Sequence, residues 1–508
     1  MTADGFVPSR ESADTIFALS SGAGRAGVSV IRVSGPQARD AITQLAPVES
    51  GELPPPRRAV LRSLVRPPAD GGGDGGGGGG NSWQPETIDQ ALVLWFPGPR
   101  SFTGEDVVEF HTHGSRAVVA AVLEALGTVR GLRLAEAGEF TRQSFMNGKM
   151  ELTQVEGLSD LINADTEEQR KQALAQMSGV QRRQYEAWRQ SLLKSLAYTE
   201  ALIDFGEDAD DVTVDALGVA RADVRALGEQ LRAQLSDGRR GEVVREGVRV
   251  AILGPPNAGK STLLNLLAQR EAAIVSPIAG TTRDVVRVTL QLGGLPVELA
   301  DTAGLRDVTD DPIEKLGMRR AADEARRAHV QLWVCDAAAP PHSLQLFEES
   351  TAAGDAGTVE VEVAAEAAAE EDEPLRLLVH NKVDTLAAEA PRVAVEGLPG
   401  AQQWWVSCTT QAGVQPFLDA LSGLVATRYG AAEGEPALIT RARHREHVSA
   451  ALDALDAFER LAAQGEAAPL DLAAEELRTA ANELGRISGR VDVEELLDVI
   501  FRDFCIGK

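Results

Sequence analysis

Cysteine is almost missing from this chain: 508 residues contain three, Cys335, Cys408 and Cys505. Their wide spacing and odd number exclude a disulfide framework and give no zinc-ligand pattern, so a reducing compartment is expected. Basic residues are also in deficit. Against 76 Asp plus Glu stand 50 Lys plus Arg, a formal charge of −26. That balance excludes broad, non-specific attraction to nucleic acid or anionic membrane, and leaves room only for a local basic patch that binds RNA. Long apolar runs are lacking too, since no window approaches the roughly 18 successive apolar residues of a spanning helix. The opening MTADGFVPSRESADTIFALSSG has neither a charged-then-apolar signal pattern nor an Arg-rich, acid-poor transit pattern, and the expected location is the cytoplasm with no membrane association.

What is present suggests about three domains, at about 100 to 200 residues each. Hydrophobic content of 44% is ordinary for chains with sizeable cores. Two stretches read as insertions. Residues 70–80, DGGGDGGGGGG, should form a flexible surface loop, and residues 348–373, with ten acidic residues and no basic one, should form a solvated, disordered loop.

Elsewhere the periodicity changes three times. Residues 1–150 are mixed, with strand-like Val28 to Val33 and Ala91 to Phe96 and a helical Arg116 to Val129. From Leu152 the apolar residues Leu152, Val155, Leu158 and Leu161 repeat on one helical face, so 151–246 reads as helical. Residues 247–430 alternate strand and helix, as in a mostly parallel sheet with crossover helices. Residues 431–508 return to helix, with Val448, Leu452, Leu455, Phe458 and Leu461 in one stripe. The expected fold class is therefore multidomain: an α/β domain, then an all-α domain made discontinuous by an inserted α/β domain.

That insert carries chemistry. Gly254-Pro-Pro-Asn-Ala-Gly259-Lys260-Ser261 follows the strand Val248 to Leu253 and runs into a helix-like stretch beginning at Thr262. This is the spacing and context of a phosphate-binding loop: backbone N–H groups from Asn257, Ala258 and Gly259 onward curl around phosphate, Lys260 reaches β and γ oxygens, and Ser261 ligates magnesium. Asp301-Thr302-Ala303-Gly304 ends a strand after a hairpin-like pair, placing Asp301 toward the magnesium and Gly304 toward the γ-phosphate. Asn381-Lys382-Val383-Asp384 ends the strand from Leu375, and the Asp384 carboxylate can accept from guanine N1–H and its 2-amino group, a donor pair adenine lacks. Ser407-Cys408-Thr409 would bring backbone N–H groups to the guanine O6. Gly280-Thr281-Thr282-Arg283-Asp284 lies where a first switch belongs, with Thr282 as the second protein ligand of magnesium. Four elements in this order read as a GTPase.

These motifs resemble the Era-like GTPases, and Gly-Thr-Thr-Arg-Asp with Asp-Thr-Ala-Gly-Leu-Arg is similar to the MnmE (TrmE) family of tRNA-modification GTPases. Leu305 stands where Ras-like proteins carry a water-orienting glutamine. The resemblance implies a potassium ion in place of an arginine finger, held by Asn257, main-chain oxygens of Ser276 and Ile278, and Thr281, with Pro277, Ala279 and Gly280 completing a loop around GTP. It also implies Glu314 as the residue that orients water, with Lys260 and Thr282 beside it in catalysis.

The resemblance extends to the first domain. Gly24-Arg25-Ala-Gly-Val, Ser101-Phe-Thr-Gly-Glu-Asp106, Glu109 and Phe140 to Lys149 match the family's folate-binding domain in order. It implies that Arg25, Glu109, Lys149 and the terminal Lys508 contact 5-formyl- or 5,10-methylene-tetrahydrofolate. A carboxylate suits the pterin N–H edge and cations suit the glutamate tail. The closing Cys505-Ile-Gly-Lys508 matches too, making Cys505 a candidate thiol beside the folate. His111 and His113 share a strand face, but no third ligand follows, and a lining or capping role is expected. The family further implies a homodimer, and a heterotetramer with an MnmG-like FAD protein that adds an aminomethyl or carboxymethylaminomethyl group to C5 of a tRNA wobble uridine. The alternative is a regulatory or ribosome-assembly GTPase. Such a protein ordinarily brings a basic RNA-binding module, of which the flanking segments show no sustained run.

Overall fold

The computed structural model describes residues 14–67, 86–205, 213–237, 239–255, 257–270, 287–301, 325–339, 374–387, 402–430, 437–490, 500–501, 504 and 506–507. The Gly-rich 70–80 and acidic 348–373 stretches lie outside them. The chain divides into one unit of residues 1–159 with 488–508 and a second of residues 160–487.

The first unit is built on alternation. In β2 (Ala26–Ser34), Ile31 and Val33 are buried while Val30 and Arg32 face the other side, the period that β-branched residues favour in a half-covered strand. Five further strands join it: β1 (Thr15–Leu19), β3 (Val60–Val65), β4 (Thr87–Phe96), β5 (Val107–Gly114) and β6 (Leu132–Leu134). The spatial order is β3-β4-β5-β2-β1-β6, with only the β1–β6 pair parallel. Two helices, α1 (Ala38–Leu45) and α2 (Arg116–Gly127), close one face over a core of Phe17, Ile31, Val33, Ile42, Leu45, Val93, Phe110 and Leu126. Ser115 caps α2, its hydroxyl accepting from Val118 N–H at 3.1 Å, which satisfies one orphan donor of the first turn. On the other face α3 (Glu139–Met146) buries Phe140 against Ile16 and Ala18. The chain's end is part of this unit. Phe501 and Phe504 pack with Leu152 and Val155, and Ile506 bridges to Ala137.

The second unit holds the other sheet. Its strands are β7 (Val248–Leu253), β8 (Arg287–Leu292), β9 (Leu295–Asp301), β10 (Val330–Asp336), β11 (Leu375–Asn381) and β12 (Gln402–Trp405), in the order β12-β11-β10-β7-β9-β8. All pairs are parallel except the β8–β9 hairpin. Helices Lys260–Arg270 and Val414–Tyr429 cover it through Leu263, Leu267, Phe417 and Leu421. Each such fully buried side chain contributes about 1.5–3 kcal/mol relative to exposure. Because β9 and β10 flank β7 on opposite sides, the order reverses at β7, and the space beyond its carboxyl end is the usual ligand position in such sheets.

Four helices share a separate core. Tyr185, Trp188 and Leu192 of helix Val180–Phe205 and Val224 and Leu231 of helix Thr213–Leu235 pack with Val448, Leu455 and Phe458 of helix Ala442–Ala462 and Leu477 and Leu484 of helix Leu470–Ser488. Helices from both sides of the sheet region thus form one bundle. Where the chain leaves and re-enters it, Arg245 and Arg441 both hold Asp160, at 3.1 and 2.7 Å. Among the described residues no helix is long and apolar enough to cross a membrane.

Candidate functional site

Parallel strands end on one edge, and that edge collects the polar residues of the second unit. Ile252 pairs with Asp301, Trp333 with Leu253, and Asp336 with Asn381. The loop after β7 therefore lies between the ends of β9 and β10, with Asn381 one strand further on. In that loop Asn257 is exposed and has a left-handed φ of 60°, a conformation Asn tolerates better than most residues. Ala258 is buried, and Ser261 and Thr262 are exposed on the first turn of helix Lys260–Arg270. Their hydroxyls stand at a helix N-terminus, where unsatisfied N–H groups and the helix dipole favour anions. Lys260 is buried, its ammonium donating to the carbonyl oxygens of Gly254 at 2.7 Å and Pro255 at 2.9 Å.

Asn381 ties the elements together. Its carboxamide nitrogen donates to the Ala258 carbonyl at 2.9 Å, and its oxygen accepts from Cys408 N–H at 3.1 Å. The side chain is 2% exposed, so both bonds act in a low dielectric, where leaving either partner unsatisfied is costly. Lys382 has a φ of 64° and pairs with Asp336 at 2.9 Å. The Asp336 carboxyl is held below its ordinary range, first by Ala338 N–H and then by Lys382. Asp384 is exposed on the short 3-10 turn Val383–Thr385. Ser407 is buried, and its hydroxyl accepts from Thr410 N–H at 3.0 Å, shaping the loop that presents Cys408 and exposed Thr409. Burial pushes the Cys408 thiol up to about 11, which leaves it protonated and only its backbone available to a ligand.

Asn257 to Thr262, Asn381, Lys382, Asp384 and Ser407 to Thr409 thus stand along one edge. Ser276, Pro277, Ile278, Ala279, Gly280, Thr281, Thr282, Thr302, Ala303, Gly304 and Glu314 lie outside the described residues, as does the side chain of Asp301.

The first unit carries a second polar group. Glu109 is half-buried on β5, and Arg32 of β2, its register partner, donates to one carboxylate oxygen from Nε at 3.1 Å and Nη2 at 2.9 Å. His111 Nε2 stands 3.3 Å from the other oxygen. The Arg32 guanidinium also lies over the rings of Phe102 and Phe140, 5.3 and 5.7 Å from their centroids. Arg32 and His111 were not singled out as partners of Glu109. The alternation of β2 puts Arg32 on the polar face, but the β2–β5 register, a tertiary fact, is what pairs them. His113 holds Asp89 at 2.7 Å, so the two histidines serve two different carboxylates. Among the described residues no three His, Cys, Asp or Glu side chains gather as metal ligands.

Lys149 donates to the Pro99 carbonyl at 2.9 Å. Arg25 is exposed in the β1–β2 turn, where Ala26 pairs with Gly114. That is five residues along β5 from Glu109, or about 16 Å at strand rise, so the structure does not bring Arg25 and Glu109 into contact. Cys505 and Lys508 lie outside the described residues, but Gly507 between them rests on this same turn, its carbonyl accepting from the Ser20 hydroxyl at 2.7 Å.

Two family models match the chain. One described as GTP-binding protein TrmE N-terminus covers residues 15–149, and one described as MnmE helical domain covers residues 152–505. Among named relatives, the human mitochondrial 5-taurinomethyluridine-[tRNA] synthase subunit GTPB3 is 46% identical over 504 residues, 99% of this chain and 95% of its own length. The tRNA modification GTPase MnmE of Parvibaculum lavamentivorans is 48% identical over 498 residues, 97% of this chain and 100% of its own. The protein of the same name from Rhodopseudomonas palustris is 45% identical over 494 residues, 97% and 99% of the two chains.

Proposed function

This chain belongs to the MnmE (TrmE) family of tRNA modification GTPases and is a GTP-hydrolysing enzyme acting in tRNA modification; on that premise we propose that it is a potassium-activated GTPase that works with a flavoprotein. The pair would add an aminomethyl or carboxymethylaminomethyl group to C5 of a tRNA wobble uridine, using a one-carbon unit from 5-formyl- or 5,10-methylene-tetrahydrofolate. The alternative, a regulatory GTPase outside base modification, is set aside by nearly full-length likeness to tRNA modification proteins.

The observation that carries the nucleotide reading is the Asn381 bridge from the Ala258 carbonyl to Cys408 N–H. It ties a phosphate-binding loop to a base-reading loop, and a fixed separation between them lowers the cost of binding a ligand that spans both. In this reading, phosphate oxygens draw Lys260 from the carbonyls of Gly254 and Pro255, and Asp384 accepts from guanine. The donor set fits the metals. Ser261 is an exposed hydroxyl beside the anion site and would hold magnesium with Thr282. The Asn257 side chain leaves an exposed, left-handed loop position and would hold potassium with Ser276, Ile278 and Thr281. These cations supply positive charge where the transferred phosphoryl group becomes more negative. Glu314 orients the attacking water, the task Leu305 cannot perform.

For folate, the Glu109 carboxylate beside Phe102 and Arg32 fits a pterin edge, with Arg25, Lys149 and Lys508 for the anionic tail and Cys505 nearby. The domain plan proposed is 1–150 folate-binding and dimerising, 151–246 and 431–508 helical, and 247–430 the G domain. A homodimer, assembly with the flavoprotein into a heterotetramer, and a cytoplasmic location belong to the same reading. The buried, unbridged thiols of Cys335 and Cys408 suit that compartment.

The test is steady-state GTP hydrolysis in potassium and in sodium at equal ionic strength, with and without reduced folate and the flavoprotein. A rate specific to potassium and responsive to the partner is expected. A rate indifferent to both would remove Asn257 from its role and the flavoprotein from the scheme.

A further inference from the structure

Four basic residues of the first unit are neutralised in pairs: Arg32 with Glu109, Arg39 with Asp106, Arg66 with Glu86 and Glu124, and Arg133 with Asp14 and Glu139. One turn instead gathers three cations around peptide oxygens. Lys149 donates to the carbonyl of Pro99 at 2.9 Å and Arg57 to that of Arg100 at 2.5 Å, so an ammonium and a guanidinium meet at successive peptide oxygens beside a third cation, Arg100 itself. All three residues are exposed, and among the described residues none has a carboxylate partner. The acidic side chains that follow the turn in sequence are already engaged, Asp106 by Arg39 and Gly98 N–H, and Glu105 by Asn147. Arg57 is moreover held at a φ of 60°, uncommon for a side chain of its size, with its N–H on the Trp95 carbonyl.

The turn is rigidly attached to the Glu109 site. Ser144 donates to the Phe102 carbonyl at 2.9 Å and Asn147 to that of Thr103 at 2.8 Å, while the Phe102 ring lies over Arg32, the partner of Glu109. From Phe102 back to Pro99 is three residues, at most about 10 Å. A ligand with a polar ring at Glu109 and an aromatic middle at Phe102 would therefore deliver its far, carboxylate-bearing end to a triad of unneutralised cations. One carboxylate pair does not need three cations, whereas a chain of carboxylates does.

We propose that Lys149, Arg57 and Arg100 form a binding track for the γ-linked oligoglutamyl tail of a folate, so that the protein selects oligoglutamylated over monoglutamylated cofactor. This rests on the folate reading above. Each exposed ion pair adds little alone, but two additional pairs amount to about a fivefold preference at low ionic strength, decreasing as salt screens them.

Isothermal titration of the full chain with 5-formyl-tetrahydrofolate bearing one or three glutamates tests it, alongside Arg57→Gln and Arg100→Gln. The expected result is about fivefold tighter binding of the triglutamate, a ratio that drops toward one in either variant and in high salt. Equal affinities of the wild type for the two forms, with both bound, would overturn the track and leave the folate reading standing. Binding of neither form would overturn both. A variant that loses tRNA retention while keeping the wild-type ratio would assign the cations to RNA phosphate and likewise overturn the proposal.

Discussion

The carboxamide nitrogen of Asn381 occupies the space a side chain on Gly259 would need: a Cβ there would stand 2.1 Å from it. Gly259 also has a φ of 95°, which strains any L residue. Because Asn381 is buried and bonded at both ends, it cannot retreat without leaving the Ala258 carbonyl or Cys408 N–H unsatisfied. Gly259→Ala should therefore weaken GTP binding by about 100-fold, roughly 3 kcal/mol. Asn381→Ala should lose about 1–3 kcal/mol of binding for each orphaned group. Titration with a fluorescent GTP analogue reads both, and a Gly259→Ala protein with near wild-type affinity would contradict the crowding.

Asp384 offers an exposed carboxylate on a turn that follows left-handed Lys382. Its two oxygens match the two guanine donors, and hydrogen bonds to a charged group are worth about 1.5–3 kcal/mol. Asp384→Ala should lower GTP affinity by about 10- to 100-fold with little change for ATP. Asp384→Asn should instead favour xanthosine triphosphate, whose O2 accepts from the amide. Competition binding with the three nucleotides decides; retained preference for GTP over ATP in Asp384→Ala would remove the residue from base recognition.

Much of the second sheet was legible because each motif marks the end of a strand whose apolar run precedes it. Val248 to Leu253 is β7 as read, and the strand from Leu375 extends only one residue further, to Asn381. The hairpin-like pair that ends at Asp301 is β8 and β9, beginning at Arg287 within the described residues. What remained hidden was set by contacts between distant segments. Strand β3 and helix α1 were not anticipated: β3 follows a proline-rich stretch and alternates weakly, and α1 is eight residues long. Nothing in the final residues announces where they pack, since that depends on a bridge between Ala137 and Ile506 and on the bond from the Ser20 hydroxyl to the Gly507 carbonyl. Arg32 likewise reads as an ordinary strand charge until the β2–β5 register sets it against Glu109.

Stability of the second unit should be limited on both sides of neutrality by one buried contact, the Cys335 thiol 3.4 Å from His380 Nδ1. Burial, then the charge of Asp336, pushes the thiol up to about 12. From the unfolded value of about 8.5 upward, the folded chain keeps a proton that the unfolded chain releases. This contribution is thus full below that value and lost as pH rises toward about 12. Burial lowers the His380 pKa, opposed by Gln403. The folded chain resists taking up a proton that the unfolded chain accepts below about 6.5, so stability falls as pH drops through that value. Denaturant unfolding followed by tryptophan fluorescence at several pH values should show both declines, and Cys335→Ala should lessen the alkaline one, to which the raised Cys408 thiol also contributes. An unchanged alkaline slope in that variant would exclude the thiol as its source.

The tail offers a way to separate the two chemistries. Gly507 has a φ of 98°, and a Cβ there would lie 2.0 Å from the Leu19 carbonyl oxygen, a backbone atom held within β1. Gly507→Ala must displace the tail, break its bond from the Ser20 hydroxyl and move whatever Lys508 reaches. If Lys508 contacts folate, affinity for 5-formyl-tetrahydrofolate should fall by about 10-fold or more, the loss of one charge-assisted contact. GTP hydrolysis measured without folate should stay within about twofold, because the nucleotide edge is built from β7, β11 and the loop after β12 and uses no residue of the tail. Removing residues 504–508 should give the same folate defect. Undiminished folate affinity in both variants would show that the tail's seat on β1 serves the fold of the first unit rather than its ligand.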